Sequence, residues 1–198
     1  MIIRLAAAED AAAVAALYAP YVTQSAVSFE TEPPGEAEMR SRIESGGGLH
    51  PWLVACDDSG SALGYASASA FRTRPAYRFT VETSVYLAAD AVGRGIGGRL
   101  YSALLETLEA QGFTQAIGAI ALPNPASVAL HERLGFVRAG IYRDVGWKLG
   151  KWHSVGLWQR ALAPLPERPN APKPVAQVWR PRGTEITAAR DSSRPVLR

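Results

Sequence analysis

Four glycines, Gly93, Gly95, Gly97 and Gly98, fall within six positions in the run V-G-R-G-I-G-G, and a glutamate, Glu82, stands shortly before them in T-V-E-T-S-V-Y-L. A Gly-rich turn that opens a helix is an anion site. Its free N–H groups point at the ligand, missing Cβ atoms allow close approach, and the helix dipole favours negative charge. Gly93, Arg94, Gly95, Ile96, Gly97 and Gly98 are therefore candidate phosphate-binding residues; an ordinary Gly-rich loop is the plain alternative. Glu82 is a candidate general base, because its strand is otherwise suited to burial and desolvation raises a carboxyl pKa toward a useful range. A charge on the exposed face of that strand is the competing reading. His131 is a rival base, although a lone histidine on an apolar helix also reads as structural. The three histidines, His50, His131 and His153, are dispersed without carboxylates at ligand spacing, so no metal site is expected.

These groups need elements to hold them. Phe79 to Leu87 is rich in β-branched and aromatic residues and reads as a strand. Ile96, Leu100, Leu104 and Leu108 recur one helical turn apart, and Gly112 supplies a stop, so the glycines open a long helix. Asn124-Pro125 opens another, with Asn as N-cap and Pro at the first helical position, running to Leu134 and Gly135. Upstream, Ile2 to Leu5 reads as a strand, Glu9 to Tyr18 as a helix, and Pro34 to Ser45 as a second helix ended by Gly46-Gly47-Gly48. Trp52 to Cys56 and Ala62 to Ala70 are strands joined by an Asp57–Gly60 turn. Thr114 to Ala121, Phe136 to Trp147 and His153 to Leu162 complete the strands. The expected order is β-α-α-β-β-β-α-β-α-β-β, an α/β (α+β) domain with a central mixed, mostly antiparallel sheet flanked by helices.

The nucleotide fingerprints fit the glycine loop badly. No Lys-Ser or Lys-Thr follows it, as a P-loop requires, and the spacing is wrong for G-x-G-x-x-G. Val92-Gly93-Arg94-Gly95-Ile96-Gly97 instead resembles the acetyl-CoA pyrophosphate loop of the GNAT N-acetyltransferases, Q/R-x-x-G-x-G/A, with Val92 where Gln or Arg is usual. The element order is that of the GNAT fold. I-A-L-P-N-P-A-S-V-A-L-H-E-R-L-G-F, G-W-K-L-G-K-W-H-S-V-G-L-W-Q, F-E-T-E-P at Phe29, H-P-W-L-V-A at His50 and R-P-A-Y at Tyr77 resemble the phosphinothricin acetyltransferase group within that superfamily.

The resemblance implies transfer of acetyl from acetyl-CoA to the α-amine of phosphinothricin, methionine sulfoximine or methionine sulfone. It implies Glu82 as base in direct transfer, Val85, Tyr86 and Leu87 along the thioester, and Asn124 and Ser127 near the pantetheine. Phe29, Arg72, Arg74 and Tyr77 would hold the acceptor, with guanidinium groups on its carboxylate. A homodimer is the family-level expectation. A protein N-terminus or polyamine as acceptor, and a non-catalytic CoA sensor, stay open beside it.

Composition agrees with such a domain. The chain has 198 residues, 47% hydrophobic, a formal net charge of +3 and one cysteine, Cys56. That leaves no disulfide framework, and Cys56 in W-L-V-A-C reads as a buried thiol rather than a nucleophile. No apolar run approaches the roughly 18 residues of a membrane span, and the first residues are too charged and acidic for a signal peptide. A cytoplasmic protein is expected. The acetyltransferase domain is read as 1–162. Residues 163–198 form a Pro-rich, basic extension, expected to be extended or disordered or to lie on the domain. Its basic residues are spread out with almost no aromatics, so nucleic-acid binding is not expected. Trp147, Trp152 and Trp158 are read as packing in the core or at a dimer contact.

Overall fold

In the computed structural model, residues 1–46 and 48–183 are described; Gly47 and the last part of the extension, 184–198, lie outside the described residues. The strands are β1 Ile2–Leu5, β2 Trp52–Cys56, β3 Ala62–Ala70, β4 Thr80–Leu87, β5 Gln115–Leu122, β6 Val137–Lys148, β7 Lys151–Ala161 and β8 Arg182–Gly183. The helices are α1 Ala11–Thr23, α2 Glu36–Ser45, α3 Ile96–Gln111, α4 Pro125–Arg133 and α5 Val175–Val178. All eight strands share one sheet, in the order β6-β7-β5-β4-β3-β2-β1-β8. Neighbours run antiparallel except β4 and β5, which are parallel.

Each face of the sheet has its own core. Ile96, Leu100, Leu104 and Leu108 project from α3 at four-residue spacing, all buried, into a cluster with Leu53, Ala66, Val81 and Ala116. Each such side chain contributes about 1.5–3 kcal/mol on burial. Gly112 ends α3 at φ 95°, where only a residue without Cβ sits freely. On the opposite face α1 and α2 bury Val14, Tyr18, Val22 and Met39 against Tyr65.

Most strands match the sequence reading within a residue or two. The first helix does not: it continues past Tyr18 through Pro20 to Thr23. Pro costs a helix one hydrogen bond and some bending. Here Val22 is buried, and the Tyr21 hydroxyl donates to the Leu87 carbonyl at 2.7 Å, which outweighs that loss. Among the described residues of the extension, 163–183, the short helix α5 buries Val175 and leads to Trp179, packed on the core, and β8 pairs with the outer edge of β1. Those two apolar residues supply what the prolines do not. The tail arginines Arg190, Arg194 and Arg198 lie outside the described residues.

Candidate active site

The sheet comes apart at its centre. The parallel strands β4 and β5 pair only from Thr80, Val81 and Glu82 to Gln115, Ala116 and Ile117, then diverge. Thr83 marks the fork, its hydroxyl 3.2 Å from the Ile117 carbonyl oxygen and 2.7 Å from the Tyr101 hydroxyl. Beyond it a cleft opens, lined by Thr83 to Tyr86, Ala119 to Ala121, Asn124, Ser127 and His131. Along it the facing backbone edges of β4 and β5 are unpaired with each other and can meet an amide-bearing chain, except at Leu87, whose amide and carbonyl are held by the Tyr21 hydroxyl.

The glycine loop lies at the cleft's wide end. Gly93 and Gly95 take φ of 79° and 75°. Gly95 is the N-cap of α3 and brings no side-chain acceptor, and the first-turn amides behind it have no intrahelical partner. A Cβ on Gly97 would stand 3.2 Å from Leu87, so glycine lets α3 approach the end of β4, whereas Gly98 faces open space. Arg94 and Arg99 flank the loop, and Val92 is exposed with no polar contact to offer. A diphosphate fits this cradle: oriented amides, a helix N-terminus and two guanidinium groups. A pantetheine arm, with its amides, fits the fork.

Behind the cleft runs a hydrogen-bonded chain. His131 is buried; its Nδ1 lies 2.8 Å from the Ser127 carbonyl oxygen, and its Nε2 lies 3.0 Å from the Tyr101 hydroxyl. A carbonyl only accepts, so Nδ1 carries the hydrogen and Nε2 accepts from Tyr101. Tyr101 in turn accepts from Thr83. Burial pushes the His131 pKa down, with the Ser127 carbonyl opposing in part. With both nitrogens engaged and the ring neutral, His131 is placed to brace the fork rather than to collect a substrate proton. Gly118 opposite is required, since a Cβ there would stand 2.5 Å from Nε2. Asn124 caps α4, accepting from the Ser127 amide at 3.1 Å.

On the other face of β4 is a cavity of about 540 Å³. Register builds its floor: Tyr65 lies opposite Tyr86, Ser67 opposite Ser84 and Ser69 opposite Glu82. Trp52 stacks on Tyr65 and Tyr65 on Tyr86, with centroids 5.4 and 5.3 Å apart, and Tyr18 meets Tyr86 edge-on at 4.9 Å. Glu30 and Arg42 form one wall. Arg42 holds both carboxylate oxygens of Glu30 at 2.8 and 3.1 Å and Glu38 at 3.0 Å, so its charge is balanced by two carboxylates while one N–H on each Nη remains for another partner. Those bonds to Arg42 hold the Glu30 carboxyl below its usual range despite partial burial.

Ser84 and Tyr86 line both the cavity and the cleft, so the two spaces meet across β4. Glu82 points to the cavity face, one alternate residue before Ser84, about 7 Å along the strand. It is half-buried. Burial pushes its carboxyl pKa up, and the charge of Arg72 pulls it partly back.

The remaining sequence candidates are dispersed. Arg72, Arg74 and Tyr77 are exposed in the loop before β4; Arg72 lies over the Phe71 ring at 4.3 Å. Phe29 is set against Gly146 and His153, outside the residues that line the cavity. Val85 and Leu87 pack on the α3-side core, and Val85 and Tyr86 also line the cleft. The cavity also brings in Tyr18, Glu30, Arg42, Trp52, Tyr65, Ser67 and Ser84, which the sequence motifs do not mark as a site. For Glu30 the signal was its place beside Phe29; the others become a site only once strand register is known. Among the described residues no cluster of His, Cys, Asp or Glu could hold a metal ion, and no helix is long and apolar enough to cross a membrane.

A fork in a mixed sheet, with a Gly-rich helix N-terminus at its mouth, defines a class. The family described as "Acetyltransferase (GNAT) domain" matches residues 3–155, and the chain belongs to it. It is an acetyl-CoA-dependent N-acetyltransferase. Phosphinothricin N-acetyltransferase of Streptomyces viridochromogenes is 42% identical over 89% of this chain and 95% of its own length. The L-methionine sulfoximine/L-methionine sulfone acetyltransferase of Pseudomonas aeruginosa is 36% identical over 84% and 98%. Among solved structures, the phosphinothricin acetyltransferase of Sinorhizobium meliloti in complex with acetyl-CoA superposes with a TM-score of 0.78 at 42% identity, covering 80% of this chain and 86% of that one. YncA of Salmonella typhimurium, solved with its cofactor acetyl-CoA, gives 0.80 at 30% identity over 85% and 97%.

Proposed function

We propose that this enzyme acetylates the α-amine of a small amino acid of the phosphinothricin and methionine sulfoximine type, by direct transfer with Glu82 as general base. The observation that carries this reading is the sharing of Ser84 and Tyr86 between cleft and cavity, with Glu82 next on the same face. Acetyl-CoA supplies an acetyl group activated as a thioester. The Gly93–Gly98 turn binds its diphosphate, and the β4 and β5 edges orient its arm in the cleft. The cavity takes the acceptor, and Glu82 accepts the ammonium proton, directly or through a water. The neutral amine attacks the thioester carbonyl. The C–N bond forms as the C–S bond breaks, and the second proton lost by the nitrogen leaves on the sulfur of CoA. An α-ammonium titrates at roughly 8 in a peptide, so a carboxylate with a raised pKa is better matched to it than an ordinary one. Arg42 is charge-balanced by Glu30 and Glu38, so Arg72, whose charge is felt at Glu82, is the cation proposed for the acceptor's acidic groups, with Arg74, Tyr77 and Phe29 as further contacts from outside the cavity. The relatives named for phosphinothricin and methionine sulfoximine support this substrate class. A homodimer completes the reading, supported by Trp147 and Trp152, paired at 5.4 Å on the outer hairpin and 59% and 60% exposed. Sedimentation at the monomer mass would overturn it.

The test is thiol release from acetyl-CoA with phosphinothricin, methionine sulfoximine, methionine sulfone, ordinary amino acids, spermidine and a short peptide. Saturable turnover on the first three, lost in Glu82→Gln with acetyl-CoA still bound, is the expected result. Turnover confined to peptide or polyamine overturns the substrate class, and an undiminished Glu82→Gln overturns the base.

A further inference from the structure

Gln111, the last residue of α3, is 1% exposed and plays no part in the chemistry above. Its Nε2 donates to two carbonyls, Leu49 and Lys173, each at 2.8 Å. Its own backbone carbonyl accepts from the Lys173 amide at 2.8 Å, and the Val175 amide donates to the Gly48 carbonyl at 2.6 Å. The Gln111 side chain therefore bridges the C-terminal extension and the turn between α2 and β2, one main-chain bond joins the two directly, and the other ties the extension to α3. That turn has two sides. Gly48 and Leu49 face the extension, while Ser45, Gly46 and His50 line the 540 Å³ cavity. Gly46 accepts from the amides of Leu49 and His50 at 2.8 and 3.0 Å, so the two sides form one unit.

We propose that Gln111 and the segment Lys173–Val175 are positioning residues for the acceptor: they clamp the outer side of the α2–β2 turn and so fix the cavity wall on its inner side. This rests on the reading of the cavity as the acceptor site. The glycine loop and the α3 N-terminus are at the other end of that helix, so the clamp is selective for acceptor over acetyl-CoA. The extension is thereby part of the specificity apparatus rather than an appendage.

The test uses the full chain with Gln111→Leu, which removes both donors at similar volume, and Val175→Asp, which charges the buried anchor. Should the first fail to fold, the second reaches the same contact from the surface side. With methionine sulfoximine, or the panel amine turned over fastest, KM for the acceptor rises about tenfold, the loss of one to two hydrogen bonds. KM for acetyl-CoA stays within about twofold, a split that general destabilisation would not produce. Hydrogen exchange at the Leu49 and His50 amides quickens in the same variants. Ser67→Leu, which fills the cavity, is the companion. If it raises acceptor KM and the clamp variants do not, the clamp is refuted while the acceptor cavity stands. If Ser67→Leu also changes nothing, the cavity reading fails and the clamp proposal with it.

Discussion

Replacing Gly118 by Ala tests whether the fork is braced by the Thr83–Tyr101–His131 chain. The new methyl carbon stands 2.5 Å from His131 Nε2 and 2.6 Å from Cδ2. Ordinary contact begins at about 3.5 Å, so the ring must retreat about 1 Å. It has little freedom to do so, being 4% exposed and bonded to Ser127 at 2.8 Å and Tyr101 at 3.0 Å. A retreat of that size takes the Tyr101 bond out of range. Losing it inside a fully buried site costs about 1–3 kcal/mol, and the overpacking itself costs about 1–3 kcal/mol. A total near 3 kcal/mol lowers Tm by about 6–12 °C in a chain of this length. Thermal unfolding followed by circular dichroism reads the shift. His131→Ala makes room for the methyl, so Gly118→Ala should cost at least about 1 kcal/mol less in that background. A single variant within about 2 °C of the parent, or an additive pair, refutes the brace.

If Glu82 is the base, activity requires its carboxylate and is lost as pH falls through its folded pKa. Burial raises that value, so the acid limb of the kcat profile should lie above the ordinary glutamate value of about 4.3. Arg72 opposes the rise, so Arg72→Ala should move the limb to higher pH; a limb that stays put removes Arg72 from the account. Gly95→Ala places a Cβ at φ 75°, costing about 1–2 kcal/mol, and should raise KM for acetyl-CoA about tenfold while leaving acceptor KM nearly unchanged. His131 binds its proton more weakly folded than unfolded. Its contribution is therefore intact above the unfolded value of about 6.5 and is lost progressively below it. Urea unfolding at pH 7.5 and 5.0 should show a steeper loss for the parent than for His131→Phe, and equal losses would contradict the assignment.

The elements of the catalytic half were legible because local rules decide them. The turn spacing of Ile96, Leu100, Leu104 and Leu108, the Asn124-Pro125 start and the Gly112 stop all act within a few residues, and each element formed where it was read. The glycine loop was legible for the same reason. The cavity beside β4 was not. Tyr65 and Tyr86 meet only through the β3–β4 register, and Arg42, spaced four residues from Glu38, reads as an ordinary surface pair until Glu30 is folded against it. The part played by Gln111 was equally hidden, since its partners are 62 residues away on either side. Proline-rich composition said nothing of two apolar residues, Val175 and Trp179, with somewhere to dock.

The fork has a consequence for how the protein matures. After Glu82 and Ile117, β4 and β5 turn edges toward each other without joining, so the sheet is folded yet unfinished at its centre. An amide chain laid between them serves as a missing strand. On the proposed reading, loading would complete the sheet and stabilise the native state. Mass action sets the gain: at a concentration one hundred times Kd, a ligand confined to the native state adds about 2.7 kcal/mol. In a cell rich in acetyl-CoA the two halves of the sheet would spend most of their time stitched together, and starvation for it would leave the enzyme idle and easier to degrade.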